Sequence, residues 1–181
     1  MIRVWYNKSF SFVYNVIQLI KQQDSQEFRL IVSHTQPHAR ALLVADEAYI
    51  EPSGLVGKTY VDWCLDFCQQ HQIAVFVVGK EAQAIAQYQH LFEQIAVRLL
   101  LVADAPTLAL LEDKAQFAQQ LPAHIAQLPD TVTVTSYQQF EQAYQQLRAS
   151  HACLSIKPAI SIFGLGFRKI DGQGDCVQHI L

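Results

Sequence analysis

The chain has 181 residues, 51% of them hydrophobic and 16% charged, with a formal net charge of −3. The apolar share excludes a disordered chain, the length suits one domain or two small ones whose core needs no disulfide or metal, and the mild acidity argues against a nucleic-acid partner. A small anionic ligand, held by two or three well-placed donors, is compatible with all three. No apolar run reaches the roughly 20 residues that span a bilayer, and the opening MIRVWYNKS lacks the layout of a signal peptide. A cytoplasmic chain with no membrane partner is therefore expected. Its four cysteines, Cys64, Cys68, Cys153 and Cys176, form no CxxC pair. Cys64 and Cys68, spaced i, i+4, are expected as reduced thiols on the inner face of a helix.

In chain order, IRVWY (2–6) reads as a strand. Ser9 to Gln23 reads as a helix, with Ser9 as its cap and Phe12, Val16, Leu19 and Ile20 on one face. FRLIVS (28–33) is a second strand, followed by the polar loop HTQPHAR. ALLVADEAYIEP (41–52) suggests short strand pieces around a turn at Ala45–Asp46–Glu47. Val61, Leu65 and Cys68 recur at helical spacing between Thr59 and Gln70. IAVFVVG (73–79) is apolar without alternation, which suits a parallel strand buried on both faces. Residues 81–95 read as helix and VRLLLVA (97–103) as strand.

The first hundred residues thus spell βαββαβαβ, an α/β pattern for an open parallel sheet covered by helices. Ligands of such sheets gather at the carboxyl ends of the strands. That rule singles out Asn7, Lys8 and Ser9, then His34, then Gly79, Lys80 and Glu81. Of these, Asn7, Ser9, Lys80 and Glu81 are the candidate substrate-binding residues.

A domain boundary is expected near Asp104, giving units 1–103 and 104–181. Residues 105–120 read as one helix, and Pro122 and Pro129 bracket a connector. TVTVTS (131–136) alternates like a strand with one wet face. Residues 137–149 read as a glutamine-rich helix with Phe140, Ala143, Tyr144 and Leu147 inward. ACLSIKP (152–158) is a strand ending in Lys157–Pro158, and GFRKID (166–171) can pair back antiparallel.

Two segments carry chemistry. In SIKPAISIFGLGFRKID (155–171) a lysine closes a strand and Gly164 and Gly166 follow. A lysine there is costly to desolvate without a partner. Glycines let backbone N–H groups approach a ligand, and exposed amides beside an ammonium suit a phosphate. The second segment is EDKAQF (112–117), an Asp113–Lys114 pair set inside the expected helix.

Together the two segments resemble the ATP-grasp superfamily. Its members carry a helical DK..F pattern, later a strand ending in KP, and then a glycine-rich loop between antiparallel strands. Here Asp113–Lys114 and Phe117 are followed after about forty residues by Lys157–Pro158, then by Gly164–Leu165–Gly166–Phe167. The stretch ADEAYIEP (45–52) is similar to a segment of carbamoyl-phosphate-synthase-like members. The resemblance implies a Rossmann-like parallel-sheet domain preceding the grasp fold, then the first, α+β lobe of that fold. It implies a ligase that activates a carboxylate with ATP and lets an amine displace the acyl phosphate. Lys114 and Lys157 would contact the ATP phosphates, and Ser161, Gly164 and Gly166 would let the loop close over them. The partners implied are ATP and an unspecified small carboxylate, with homo-oligomer formation open. In the family the adenine-binding linker and the magnesium ligands follow the glycine loop on a second lobe. Leu181 closes this chain shortly after Asp171. The chain is accordingly expected to be an amino-terminal portion, without the magnesium ligands and inactive alone.

Other readings stay open on the residues alone. One is a non-catalytic interaction module that keeps the fold. Another is a P-loop at Gly57–Lys58–Thr59, although Pro52 stands where that motif needs its first glycine. Seven histidines invite a metal, yet Pro37 separates His34 from His38 on any helix face and no other pair has ligand spacing, so no metal site is expected. No GxSxG elbow is present.

Overall fold

The structure, a computed structural model, describes residues 1–8, 11–23, 27–121, 125, 128–161 and 164–170. Two compact units emerge, Met1–Leu108 and Ala109–Leu181.

The first unit runs β1 (Ile2–Tyr6), α1 (Val13–Gln23), β2 (Phe28–His34), a 3₁₀ turn (Arg40–Leu43), β3 (Glu47–Ile50), α2 (Gly57–Gln70), β4 (Val75–Val77), α3 (Ala82–Gln87), α4 (Gln89–Gln94) and β5 (Arg98–Leu100). Its five strands are all parallel, in the order β3-β2-β1-β4-β5. The expected βαββαβαβ pattern is present. Strand order grows outward from β1 in both directions, so the topological switch lies between β1 and β4.

Alternation along β1 feeds two cores. Trp5 joins Ile31, Phe76, Tyr60, Cys64 and Phe67 on the α2 side, whereas Val4 and Tyr6 join Leu30, Val32, Val13 and Ile17 on the α1 side. The Trp5 ring stacks on Phe76 at 4.0 Å between centroids and meets Phe67 at 4.4 Å. Full burial of side chains of this size is worth about 1.5–3 kcal/mol each. Cys64 and Cys68 are buried, as expected, and burial pushes the Cys68 thiol up to about 12.

Several boundaries differ from the sequence reading, each for a local reason. α1 starts at Val13, and its inward residues are Val13 and Ile17, while Phe12 and Leu19 are exposed; Ser9 lies outside the described residues. Residues 81–95 form two short helices because the chain turns at Tyr88, which lets both Ile85 and Phe92 reach the core. Residues 73–79 and 97–103 each give only a three-residue strand.

At the amino ends of the strands, Arg3 grips Glu47 bidentately at 2.8 and 2.9 Å, with Arg29 and Tyr49 on the same carboxylate. The Arg3 hydrogen bonds, with help from Arg29 and Tyr49, hold the Glu47 carboxyl down at about 2, against a smaller upward push from burial.

The second unit continues α5, which begins in the first (Ala105–Glu112), with α6 (Lys114–Gln120), α7 (Tyr137–Arg148), β6 (Leu154–Ile156) and β7 (Arg168–Ile170). The single expected helix over 105–120 is two helices. Asp113 sits in extended backbone and its carboxylate accepts from Ala115 N at 2.9 Å and Gln116 N at 3.1 Å. A short acidic side chain that bonds the next turn's amides starts a helix rather than continuing one. Ser136 caps α7 in the same way. Residues 131–136 are not a strand: the segment makes no ladder with any described strand. The antiparallel return of 166–171 is present as β7, with Leu154 opposite Ile170 and Ile156 opposite Arg168; Asp171 lies outside the described residues.

Candidate functional site

The β6–β7 hairpin loop gathers the second unit's polar chemistry. Lys114 opens α6, directly after the capping Asp113. Its backbone N–H donates to Ala159 O at 2.9 Å, and Asp113 forms an antiparallel bridge with Ile160. The Lys114 ammonium donates to Ser161 O at 2.8 Å, Ser161 Oγ at 3.2 Å and Ala159 O at 3.4 Å. The DK pair and the segment after Lys157–Pro158 therefore meet, although 47 positions separate Lys114 from Ser161.

Lys157 stands just past β6, with its ammonium 5.8 Å from the Phe167 ring centroid. Gly164 (φ +70°) and Gly166 (φ +77°) both occupy left-handed backbone. A Cβ on Gly166 would lie 2.5 Å from Pro158 Cγ, so glycine there is required by conformation and by close packing. Arg168 and Lys169 follow on β7, and among the described residues neither they nor Lys157 has an acidic partner. The loop's stem is thus a basic, glycine-hinged edge with exposed main chain.

A second polar cluster occupies the carboxyl ends of β1 to β4 in the first unit. Asn7 is fully buried and its amide is fully used. Oδ1 accepts from Gly79 N at 2.6 Å and Lys80 N at 3.2 Å, while Nδ2 donates to Tyr60 OH and Lys80 O, each at 3.0 Å. Glu51, 2% exposed, accepts from Lys8 N at 2.7 Å, Ser33 Oγ at 2.8 Å and Tyr60 OH at 3.0 Å, and Trp5 Nε1 completes the chain on Ser33 at 2.8 Å. The network closes the switch point between β1 and β4, where open α/β sheets place ligands. Burial drives the Tyr60 hydroxyl's pKa strongly upward, and burial lowers that of His34 at the end of β2.

Lys80 and Glu81 flank this cluster. The Lys80 ammonium lies 4.0 Å from the Tyr60 ring centroid. The Glu81 carboxylate accepts from Gly57 N at 2.8 Å, at the N-terminus of α2. An internal carboxylate therefore sits where a P-loop would hold phosphate. Lys58 pairs with Asp62 along its own helix, and Thr59 Oγ1 donates to Val56 O. Among the described histidines, the one with an acidic partner at hydrogen-bond distance is His151, exposed and 2.9 Å from Asp130. No group of three or more His, Cys, Asp or Glu that could hold a metal occurs among the described residues.

Sequence reasoning placed Asn7, Lys80 and Glu81 at the sheet's carboxyl edge but missed Glu51, Ser33 and Tyr60, which bind that edge together. The available signal was position: Ser33 is the penultimate residue of β2, Glu51 directly follows β3, its neighbour in the sheet, and Tyr60 lies in the first turn of the helix that follows.

This fold, a five-stranded parallel sheet followed by a lysine-bearing hairpin unit, is shared with part of several solved carboxylases and synthetases. The solved structures that match include the biotin carboxylase domain dimer of Hydrogenobacter thermophilus 2-oxoglutarate carboxylase in complex with MgADP, ADP and bicarbonate, at 15% identity and a TM-score of 0.63, covering 98% of this chain and 39% of that one. N5-carboxyaminoimidazole synthetase from Staphylococcus aureus matches at 12% identity and a TM-score of 0.66, over 98% of this chain and 42% of that one. The Thermotoga maritima N5-carboxyaminoimidazole ribonucleotide synthetase matches at 12% and 0.59, over 99% and 43%. The chain spans about two fifths of these neighbours' length. No family model matches the sequence, and no curated protein does. No helix among the described residues is long and apolar enough to cross a membrane.

Proposed function

We propose that this chain is the amino-terminal, phosphate-binding part of an ATP-dependent carboxylate–amine ligase. The observation that carries the reading is the meeting of Lys114 with the loop after Lys157–Pro158, on a hairpin whose glycines have left-handed backbone. Its fold neighbours include a carboxylase domain bound to MgADP and bicarbonate and a synthetase bound to ADP.

In this reading the terminal phosphoryl group of ATP passes to a carboxylate oxygen, ADP leaves, and an amine displaces phosphate from the acyl carbon. Lys114 and Lys157 stabilise charge on the transferring group, and the main chain at Gly164 and Gly166 approaches the phosphates closely. The small carboxylate binds at the sheet's switch point, where Lys80 supplies a cation and Asn7 positions the turn that carries it. Glu81 holds that turn against α2. Magnesium neutralises phosphate charge in this class of reaction, and the described residues do not fit a magnesium site.

The test is ATP binding by calorimetry. A charge-assisted hydrogen bond contributes about 1.5–3 kcal/mol, so Lys114→Ala and Lys157→Ala should each weaken ATP binding roughly ten- to a hundredfold. Affinity equal to the parent's in both variants overturns the reading.

A further inference from the structure

The Lys114 ammonium is already saturated. It has three N–H bonds, and three oxygens, Ser161 O, Ser161 Oγ and Ala159 O, lie within 3.4 Å. All three are neutral. The nearest acidic neighbour in sequence, Asp113, spends its carboxylate on the amides of α6 and the Gln116 side chain. The same strand of loop is held a second time by the Lys114 N–H on Ala159 O. A cation resting on neutral oxygens gains by exchanging one for an anionic oxygen, because the attraction between two full charges is then added to the hydrogen bond.

We propose that Ser161 is a placeholder for a phosphate oxygen: it occupies the Lys114 ammonium in the nucleotide-free protein and must be displaced for a phosphate anion to bind. The proposal rests on the nucleotide-binding reading. It changes the part played by Ser161, from a phosphate contact to a competitor for the lysine. The two parts predict opposite signs. If Ser161 contacted phosphate, removing its hydroxyl would weaken binding. As a competitor, its removal strengthens binding, because one of the three oxygens to be displaced is gone.

The experiment measures binding of ATP and of inorganic tripolyphosphate by calorimetry to the parent chain, Ser161→Ala and Lys114→Met. It also measures hydrogen exchange at the residue-114 amide without ligand. Ser161→Ala is expected to bind both ligands about two- to fivefold more tightly, and Lys114→Met at least about tenfold more weakly. The residue-114 amide should exchange faster in Lys114→Met than in the parent, since the side chain helps hold its acceptor in place. Binding by the parent with Ser161→Ala equal or weaker overturns the placeholder and leaves the nucleotide reading standing. No binding of either ligand by parent and Ser161→Ala overturns the nucleotide reading, and the placeholder with it. Unchanged exchange at residue 114 overturns the tether whatever the affinities are. Ser161→Ala alters a partly exposed loop position, so the sign of its effect survives even if Lys114→Met misfolds.

Discussion

Glu47 shows how one carboxylate is made to work for the fold. Arg3 holds it bidentately, Arg29 and Tyr49 add to the same oxygens, and its pKa falls from 4.5 to about 2. A carboxyl whose folded pKa lies below its unfolded one contributes stability above the unfolded value, and that stability drains away as pH falls toward the folded value. The window here is about pH 4.5 down to 2. The shift corresponds to roughly 3 kcal/mol at most, and solvent screening of a part-exposed group brings the expected contribution nearer 1–2 kcal/mol. Urea unfolding of Glu47→Gln against the parent should show a gap of that size at pH 7 that shrinks at pH 3. A gap independent of pH would mean the ion pair does not hold the strands' amino ends. None of this was readable beforehand, because Arg3, Arg29 and Glu47 become neighbours only through strand register.

The hairpin poses the question at the level of an element. Its two glycines have nearly the same positive φ but different surroundings: a side chain at Gly164 meets open space, and one at Gly166 meets Pro158. Left-handed backbone alone costs a non-glycine residue about 1 kcal/mol, and an added clash raises this. Gly166→Ala should therefore destabilise the hairpin about 1–2 kcal/mol more than Gly164→Ala does, seen as faster amide exchange at Leu154 and Ile170. Equal effects would mean that Pro158 yields without cost. The break at Asp113 belongs to the same scale. Asp113→Ala removes both capping bonds and should lower the urea midpoint of unfolding. Hydrophobic spacing over 105–120 reads continuously through this break. The capping chemistry was legible in the Asp-Lys pair, but a helix interior and a helix start share that pair, and only the backbone distinguishes them.

At the scale of the whole chain, the parallel sheet was legible and its closure was not. Strand-length apolar runs separated by helical periodicity admit few arrangements, because parallel strands need crossovers of one hand. The order adopted is β3-β2-β1-β4-β5. What ties the sheet's carboxyl edge is a buried relay from Trp5 through Ser33, Glu51 and Tyr60 to Asn7. Glu51→Ala would leave the buried Ser33 and Tyr60 hydroxyls, and the part-buried Lys8 N–H, without their acceptor, and should destabilise the first unit by about 3 kcal/mol in thermal or urea unfolding. A loss under about 0.5 kcal/mol would show that water replaces the carboxylate without cost. By itself, the sequence determined the alternation of strands and helices in the first unit and the hairpin that follows Lys157–Pro158 in the second, since each rests on local periodicity and on residues whose backbone limits act locally. Only the tertiary structure decided which side chains share an acceptor. It set Lys114 on Ser161 and Glu51 beneath Tyr60, because such contacts arise between segments distant along the chain, and no local preference encodes where those segments meet.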